Sequence, residues 1–521
     1  MSTATLVKSP TPTVHFEKKD VDRKLSVKEI DDLLAGGAQV SNTALAFHQA
    51  RKRGAIGAAA PYARKKLAKH FHPFHPPTPS AAIDVSDPGL DRSDETAIAI
   101  NPKNPRNIVA GAASFDGTNF TNTAYVTKDG GNTWTTVVAI TDADEGAGLA
   151  FDDHGHLYYA SMQGGFYPIC TVSTDGGITW GPPAAFGFGD KTAVAARGRT
   201  ALVGFDRLNT EACAFTLDGG ATWTVHDFTD SGLGTGPLVS YDHKDLYIIY
   251  AAMDNNLKMY RSPDKGATWS GPTVIVAGNM WSSTIVGPLS YEGFALTSPG
   301  TNVAIDGKGH LHVLYIDSST KLPMYTMSKN HGTTWSAPVN VNPERATEPH
   351  MWPCLASNKH GDLQGGSLLY DQTLGKYRIL QHVKAAEEDE WMTIEADNGP
   401  WSAAGPPTGF RIGFGDYFDC DSLPQCGVSV MGWSETPNGL QPWETWVRIR
   451  DLCQCNEDRV ESLEEEIEHL EEAFESNELP IPRSKHNVER FEARLHQLRE
   501  KLETEERRLE TCRQANPLLE D

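Results

Sequence analysis

Cysteine is scarce in this chain. Eight cysteines in 521 residues cannot staple a polypeptide of this length, so disulfides are not its main support. Long apolar runs are missing as well, and no stretch is long enough to cross a membrane as a helix. The opening residues, Met1-Ser-Thr-Ala-Thr-Leu-Val-Lys8, hold no secretory h-region, and Glu17, Asp20 and Asp22 argue against a transit peptide. The expectation is a cytoplasmic chain, or one exported by a route that needs no such signal. Positive charge is in deficit, with a net charge of -22, which argues against nucleic acid as a partner of the body. Locally the shortage reverses. No carboxylate occurs between Asp32 and Asp84, whereas Arg51-Lys-Arg53, Arg64-Lys-Lys66 and Lys69 fall inside that interval.

What the chain does have is one turn written five times. Thr127-Lys-Asp129-Gly-Gly131-Asn-Thr-Trp134 is followed by Ser173-Thr-Asp175-Gly-Gly177-Ile-Thr-Trp180 and Thr216-Leu-Asp218-Gly-Gly220-Ala-Thr-Trp223. Ser262-Pro-Asp264-Lys-Gly266-Ala-Thr-Trp269 and a weaker Ser328-Lys-Asn330-His-Gly332-Thr-Thr-Trp335 complete the series. An Asp side chain accepts backbone N–H groups inside a tight turn, Gly supplies a positive φ, and Trp packs the turn on a sheet. The tryptophans stand 46, 43, 46 and 66 residues apart, and a period in the forties is one four-stranded propeller blade.

The motif resembles the Asp-box, or bacterial neuraminidase repeat, of the sialidase-like β-propellers. The resemblance covers roughly 81–455 and implies an all-β propeller. Counting strand cores gives blades starting at Glu95, Gly146, Lys191, Gly236, near Trp281, near Pro349 and near Gly415, with Asp397-Asn-Gly399-Pro-Trp401 as a decayed box. The expectation is seven blades, the last completed by an N-terminal strand from Ala81–Val85; six is the alternative. No cofactor is implied, although propeller loops of this kind suit a structural calcium ion. The family spans sialidases, other glycan-active enzymes, lectins and scaffolds, so fold alone leaves activity open.

Three domains are expected. Residues 1–80 form a basic extension, with a short acidic helix at Ser26–Leu34 capped by Ser26. A basic Ala-rich stretch at 42–70 reads as helix, packed on the propeller's flank or, alternatively, docked on an anionic surface. The run His70-Phe-His72-Pro-Phe-His75-Pro-Pro-Thr-Pro79 reads as an extended linker rather than a metal site. Residues 81–455 are the propeller. From 456 to 521 apolar residues recur at three and four (Val460, Leu463, Ile467, Leu470, Phe474; then Val488, Phe491, Leu495, Leu498, Leu502, Leu509), which predicts an antiparallel coiled-coil hairpin for oligomerisation or partner docking. Folding it at Pro480–Pro482 brings Cys512 opposite Cys453, near Cys455, as a disulfide or as free thiols. Cys420 and Cys426 close a short loop, while Cys170 and Cys213 occupy equivalent core positions in successive repeats and read as unpaired.

In a propeller the loops entering the inner strands line a funnel on one face, and the repeated turns lie elsewhere, at the periphery. Ligand-binding candidates are therefore the residues at the strand entries: Glu95, Glu145, Asp190, Lys191, Trp281, His350 and Arg411. Tyr417, Glu348 and Asp416 are the catalytic candidates, with Tyr417 as nucleophile and Glu348 as its partner. Carboxylates with an aromatic or two suit sugar recognition, and two carboxyls, or a tyrosine with an acid, suit glycoside cleavage. Conventional sialidases resemble one another in an Arg-Ile-Pro near the first inner strand. Here that strand reads Glu95-Thr-Ala-Ile-Ala-Ile100, and Arg411-Ile-Gly413 is the nearest echo. Arg197, Arg199, Arg345 and Arg411 are the arginines available for an anion clamp. The leading expectation is a glycan-recognition module without conventional sialidase catalysis. A glycoside hydrolase with a non-standard site stands second, and a protein-interaction scaffold third.

Overall fold

The structure, a computed structural model, describes residues 81–278, 280 and 302–451 apart from a few single positions, 146–147, 208–209 and the segments 403–417, 424–427 and 436–443. It also describes 27–35, 70–71 and isolated positions of the terminal regions, 467 and 494–499 among them. Among these residues the chain forms seven antiparallel sheets of four or five strands each, in sequence order around a ring. The innermost strands are Arg92–Ile100, Ala143–Glu145 continued by Leu149–Phe151, Asp190–Arg197, Gly232–Val239, Val303–Ile305, His350–Ser357 and Asp419–Ser422. Seven blades is therefore the count.

Each blade is built from alternating strands whose two faces are both buried, because each sheet has a neighbour on either side. The core is accordingly divided into wedges. One apolar cluster lies between each successive pair of blades, from Ala97, Val109 and Tyr159 between blades 1 and 2 to Trp352, Tyr377, Met431 and Trp433 between blades 6 and 7. Blades approach closely where the second strand is small. A Cβ on Gly204 would stand 2.3 Å from the Thr235 methyl of the next blade.

The ring closes with mixed strands. Ile83–Asp84 pairs with Glu444–Asp451, Ile83 opposite Val447 and Asp84 opposite Trp446, so an N-terminal segment supplies the outer strand of blade 7. This hides the last open edge. His70–Phe71 adds a fifth strand outside blade 1, with His70 opposite Trp134.

The repeated turns join third to outer strands. In the first, Asp129 Oδ1 accepts the Thr133 N–H at 2.9 Å and the Thr127 hydroxyl at 2.7 Å, and Oδ2 accepts the Thr133 hydroxyl at 2.5 Å. Asp175, Asp218 and Asp264 repeat this pattern. Asn330 keeps the N–H contact but donates its amide to Thr334. Each Trp seals the wedge toward the preceding blade: Trp134 beside Val447, Trp223 on Phe186, Trp269 on Phe228. Blade 6 departs from expectation. Asp397–Trp401 follows its outer strand Met392–Glu395 instead of preceding it, so it is not the equivalent turn. Trp391, which packs edge-on against Tyr325 of blade 5, takes the sealing position.

A helix runs over Val27–Ala35. In the C-terminal region Ile467 and Leu498 are buried together, with Leu495 and Leu502 against them. The remainder of the hairpin, and Cys426, Cys453, Cys455 and Cys512, lie outside the described residues. Cys170, Cys213, Cys354 and Cys420 are buried free thiols.

Candidate functional site

The innermost strands enter the ring with a shared irregularity. In blades 1, 2, 3, 4 and 6 the register slips by one residue near the strand entry, between Asp94 and Ala97, Ala143 and Glu145, Asp190 and Ala193, Leu233 and Thr235, and Met351 and Cys354. These are one-residue bulges, which bend a strand and re-aim its side chains. In four of them one bulge residue is left-handed: Glu95 at φ 52°, Lys191 at 56°, Gly234 at 77° and Trp352 at 50°.

The bulges set buried polar side chains at the strand-entry end, the mouth, of the ring. Asp94, Glu95 and Asp190 are fully buried and Lys191 is 3% exposed. In blade 3 the register sets Asp190 opposite Asp206 and Asp206 opposite Glu211, a row of three acids across three strands on one face of the sheet. That face meets blade 4, where Thr235 donates its hydroxyl to Glu211 Oε2 at 2.8 Å. Burial, with Asp230 nearby adding to it, pushes the Glu211 carboxyl up to about 8 against the Thr235 bond, so it holds its proton at neutral pH. Asp230 in turn accepts the Tyr250 hydroxyl at 2.6 Å and Lys258 Nζ at 2.8 Å. Among the described residues no group of three or more His, Cys, Asp and Glu side chains is arranged to hold a metal ion.

Of the residues singled out from the sequence, Glu95, Asp190, Lys191 and His350 stand at strand entries of blades 1, 3 and 6 and are buried. Glu348 is half-buried and paired with Arg345 at 3.1 Å. Glu145 ends the first inner segment of blade 2. Trp281, Arg411, Asp416, Tyr417 and the side chain of Glu145 lie outside the described residues. Among the described residues the arginines do not converge. Arg197 ends the inner strand of blade 3 and Arg199 lies in the turn after it, both beyond the mouth, whereas Arg345 precedes the inner strand of blade 6. Arg197 stacks 3.5 Å above the Tyr241 ring, and Arg199 donates to the Asp218 carbonyl at 2.5 Å.

Asp94, Asp206, Glu211 and Asp230 were not among the sequence candidates. Glu211 had a legible signal: it shares a period-two face with Cys213 and Phe215, both core residues, so its side chain had to be buried.

Below the mouth the inner strands of all seven blades enclose a channel of about 170 Å³, walled by residues such as Ile98, Leu149, Val194, Val239 and Ile305. Its polar lining is confined to a few groups, chiefly Asp153, Arg197, Tyr241, Asp419 and Asp421.

No known protein family matches the chain, and no curated protein does. Solved structures do resemble it. The BP39L lectin from Burkholderia pseudomallei is 12% identical over 68% of this chain and 98% of its own, with a TM-score of 0.45. The GH74 xyloglucanase from Xanthomonas campestris is 14% identical over 70% of this chain and 55% of its own, with a TM-score of 0.41. The NanB sialidase from Streptococcus pneumoniae is 10% identical over 62% of this chain and 71% of its own, with a TM-score of 0.39. At such identities, activity has to be argued from this chain's own residues.

Proposed function

We propose that this chain is a sialidase-like propeller that recognises glycans at its strand-entry mouth, with the repeated turns being Asp-boxes that serve the fold. The supporting observation is the conformation of Glu95 and Lys191. A left-handed non-glycine residue costs roughly 1–2 kcal/mol. Blade 4 makes the same bulge with Gly234, so the backbone alone does not require a charged side chain there. Strained, buried polar residues gather where chemistry needs them. A carboxylate and an ammonium in this position suit the hydroxyl groups of a sugar. Arg197 and Arg199 lie away from the mouth, which disfavours a sialidase-type clamp on a substrate carboxylate. The C-terminal heptads, where Ile467 meets Leu498, are the proposed assembly element.

A hydrolase reading is favoured by one feature. Burial pushes the Glu211 carboxyl up to about 8, the direction that the general acid of glycoside cleavage needs. The test incubates the protein with sialylated, uronic-acid and neutral glycans and follows free glycans and products by mass spectrometry. Depletion of one class without products supports recognition. New masses establish a hydrolase, and no change in either channel overturns both in favour of a scaffold.

A further inference from the structure

We infer that the closing blade carries a pH-sensitive latch: ionisation of Glu435 and Glu444 drives the N-terminal strand Ile83–Asp84 off the outer edge of blade 7. Register brings the acids together. Glu435 stands directly opposite Glu444, Trp433 stands opposite Trp446, and Asp84 of the N-terminal strand stands opposite Trp446 on its other side. Residues two apart on a strand share a face, so Glu435, Glu444 and Asp84 lie on one face of three adjacent strands. Directly opposed side chains stand roughly 5 Å apart at Cβ, and like charges there destabilise a sheet.

The two glutamates have indole partners but no countercharge. The Trp433 Nε1–H donates to Glu435 at 2.9 Å and the Trp446 Nε1–H donates to Glu444 at 3.2 Å. Among the described residues neither glutamate pairs with a cation. Asp84 accepts the Ser86 N–H at 2.9 Å. From blade 6, Asp397 adds a negative charge that Arg378 answers at 2.9 Å, while Arg378 also holds Glu395 at 2.5 Å. Arg448, two residues beyond Trp446, donates to the Ala396 carbonyl at 2.6 Å. Burial, with Asp397, Glu444 and Asp84 adding to it, raises the Glu435 carboxyl to about 7 against the Trp433 bond. Burial, with Asp84 adding to it, raises Glu444 to about 7 against the Trp446 bond. A raised carboxyl contributes stability that is fully present below its unfolded value near 4.3 and lost as pH rises through its folded one. The strand that yields is the shortest of the three. Ile83–Asp84 spans 2 residues, whereas Val428–Glu435 and Glu444–Asp451 span 8 each. Beside that pairing, the Val85 N–H reaches the Thr445 carbonyl at 2.9 Å, and Ala82 exchanges two bonds of 2.9 Å with the Asn398 side chain. An edge strand held by so few bonds opens locally before its sheet does. Its opening bares the outer edge of blade 7.

The experiment is hydrogen–deuterium exchange of the full-length protein, read by mass spectrometry at pH 6 and pH 8.5, with each rate corrected for the intrinsic pH dependence of exchange. The expected result is that protection of residues 82–86 falls at least about tenfold at the higher pH, the effect of one unit of carboxyl shift. Leu311–Ile316 of blade 5 keeps its protection. Glu435→Gln combined with Glu444→Gln preserves both indole acceptors and removes both charges, so its residues 82–86 stay protected at pH 8.5. Asp419 and Asp421 are untouched in that variant, so an equal fall there overturns the inference and moves the pH response to the inner strand. Unchanged protection in the parent overturns it too. Should the double variant fail to fold, Asp84→Asn, at a half-buried edge position, carries the same test. Its fall is expected to be smaller than the parent's, and an equal fall overturns the latch.

Discussion

Asp421 accepts the backbone N–H of Ile100 at 2.9 Å, and two residues earlier Asp419 accepts that of Ile98 at 3.1 Å. The innermost strands of blades 7 and 1 belong to different sheets, so these carboxylates act as a side-chain ladder across the ring closure. The matching period of two on both strands makes it possible. Together with the outer pairing of Ile83 to Val447, it fastens the closing blade at its inner and outer edges.

This closure should strengthen on mild acidification. Burial raises the Asp421 carboxyl to about 6, against the opposing N–H bonds and Arg197, and holds the Asp419 carboxyl well above the usual carboxylate range. A raised carboxyl contributes stability that is fully present below its unfolded value near 3.9 and lost as pH rises through its folded one. Asp421→Asn keeps an acceptor but no charge, so its thermal midpoint should change less than the parent's between pH 5 and 7.5. An equal change in both proteins would refute the assignment.

The turn aspartates should behave in the opposite sense. Burial works to raise Asp218, but the Thr222 hydroxyl and N–H and the Thr216 hydroxyl outweigh it and hold the carboxyl at about 2. Its contribution is therefore present above the unfolded value and lost as pH falls through about 2. Asp218→Ala should lower stability by about 1–3 kcal/mol in urea titrations at pH 7 and leave glycan retention unaltered. Loss of retention at unchanged stability would give these turns a role they are not assigned here.

Lys191→Gly separates fold from function. Glycine relieves a left-handed residue at φ 56° but removes a buried side chain and its contacts, so the variant should fold and be less stable than the parent by roughly 1–3 kcal/mol. Retention on a glycan support should fall at least tenfold. A stable variant with full retention would remove Lys191 from the site.

Glu211→Gln mimics the protonated side chain. Because the parent carboxyl sits at about 8, its stabilising share is complete below about 4 and declines as pH rises to 8. The variant lacks that decline, so the parent should lose more thermal stability than the variant between pH 5 and 8.5. If the mass-spectrometric panel reveals products, the same substitution should abolish their formation at neutral pH while binding persists.

Several parts of this architecture were legible in the chain itself. The Ser/Thr-x-Asp-x-Gly-x-Thr-Trp turns are local: their hydrogen bonds span no more than four residues, so sequence proximity determines them, and their spacing gives the blade count. The Ile83 closure could be inferred because a blade with three strands leaves an edge to cover. Glu95, Asp190, Lys191 and His350 could be placed at strand entries by the same count. Asp397–Trp401 was misplaced because a turn-like string carries no mark of whether it lies before or after an outer strand. Tertiary structure alone decided the rest. The bulges at Glu95 and Lys191 arise where strands curve around a common axis. The Asp190–Asp206–Glu211 row depends on register between strands, and the Asp421–Ile100 contact joins residues 321 positions apart. Local chemistry writes the turns; the polar mouth exists only after seven blades have closed into a ring.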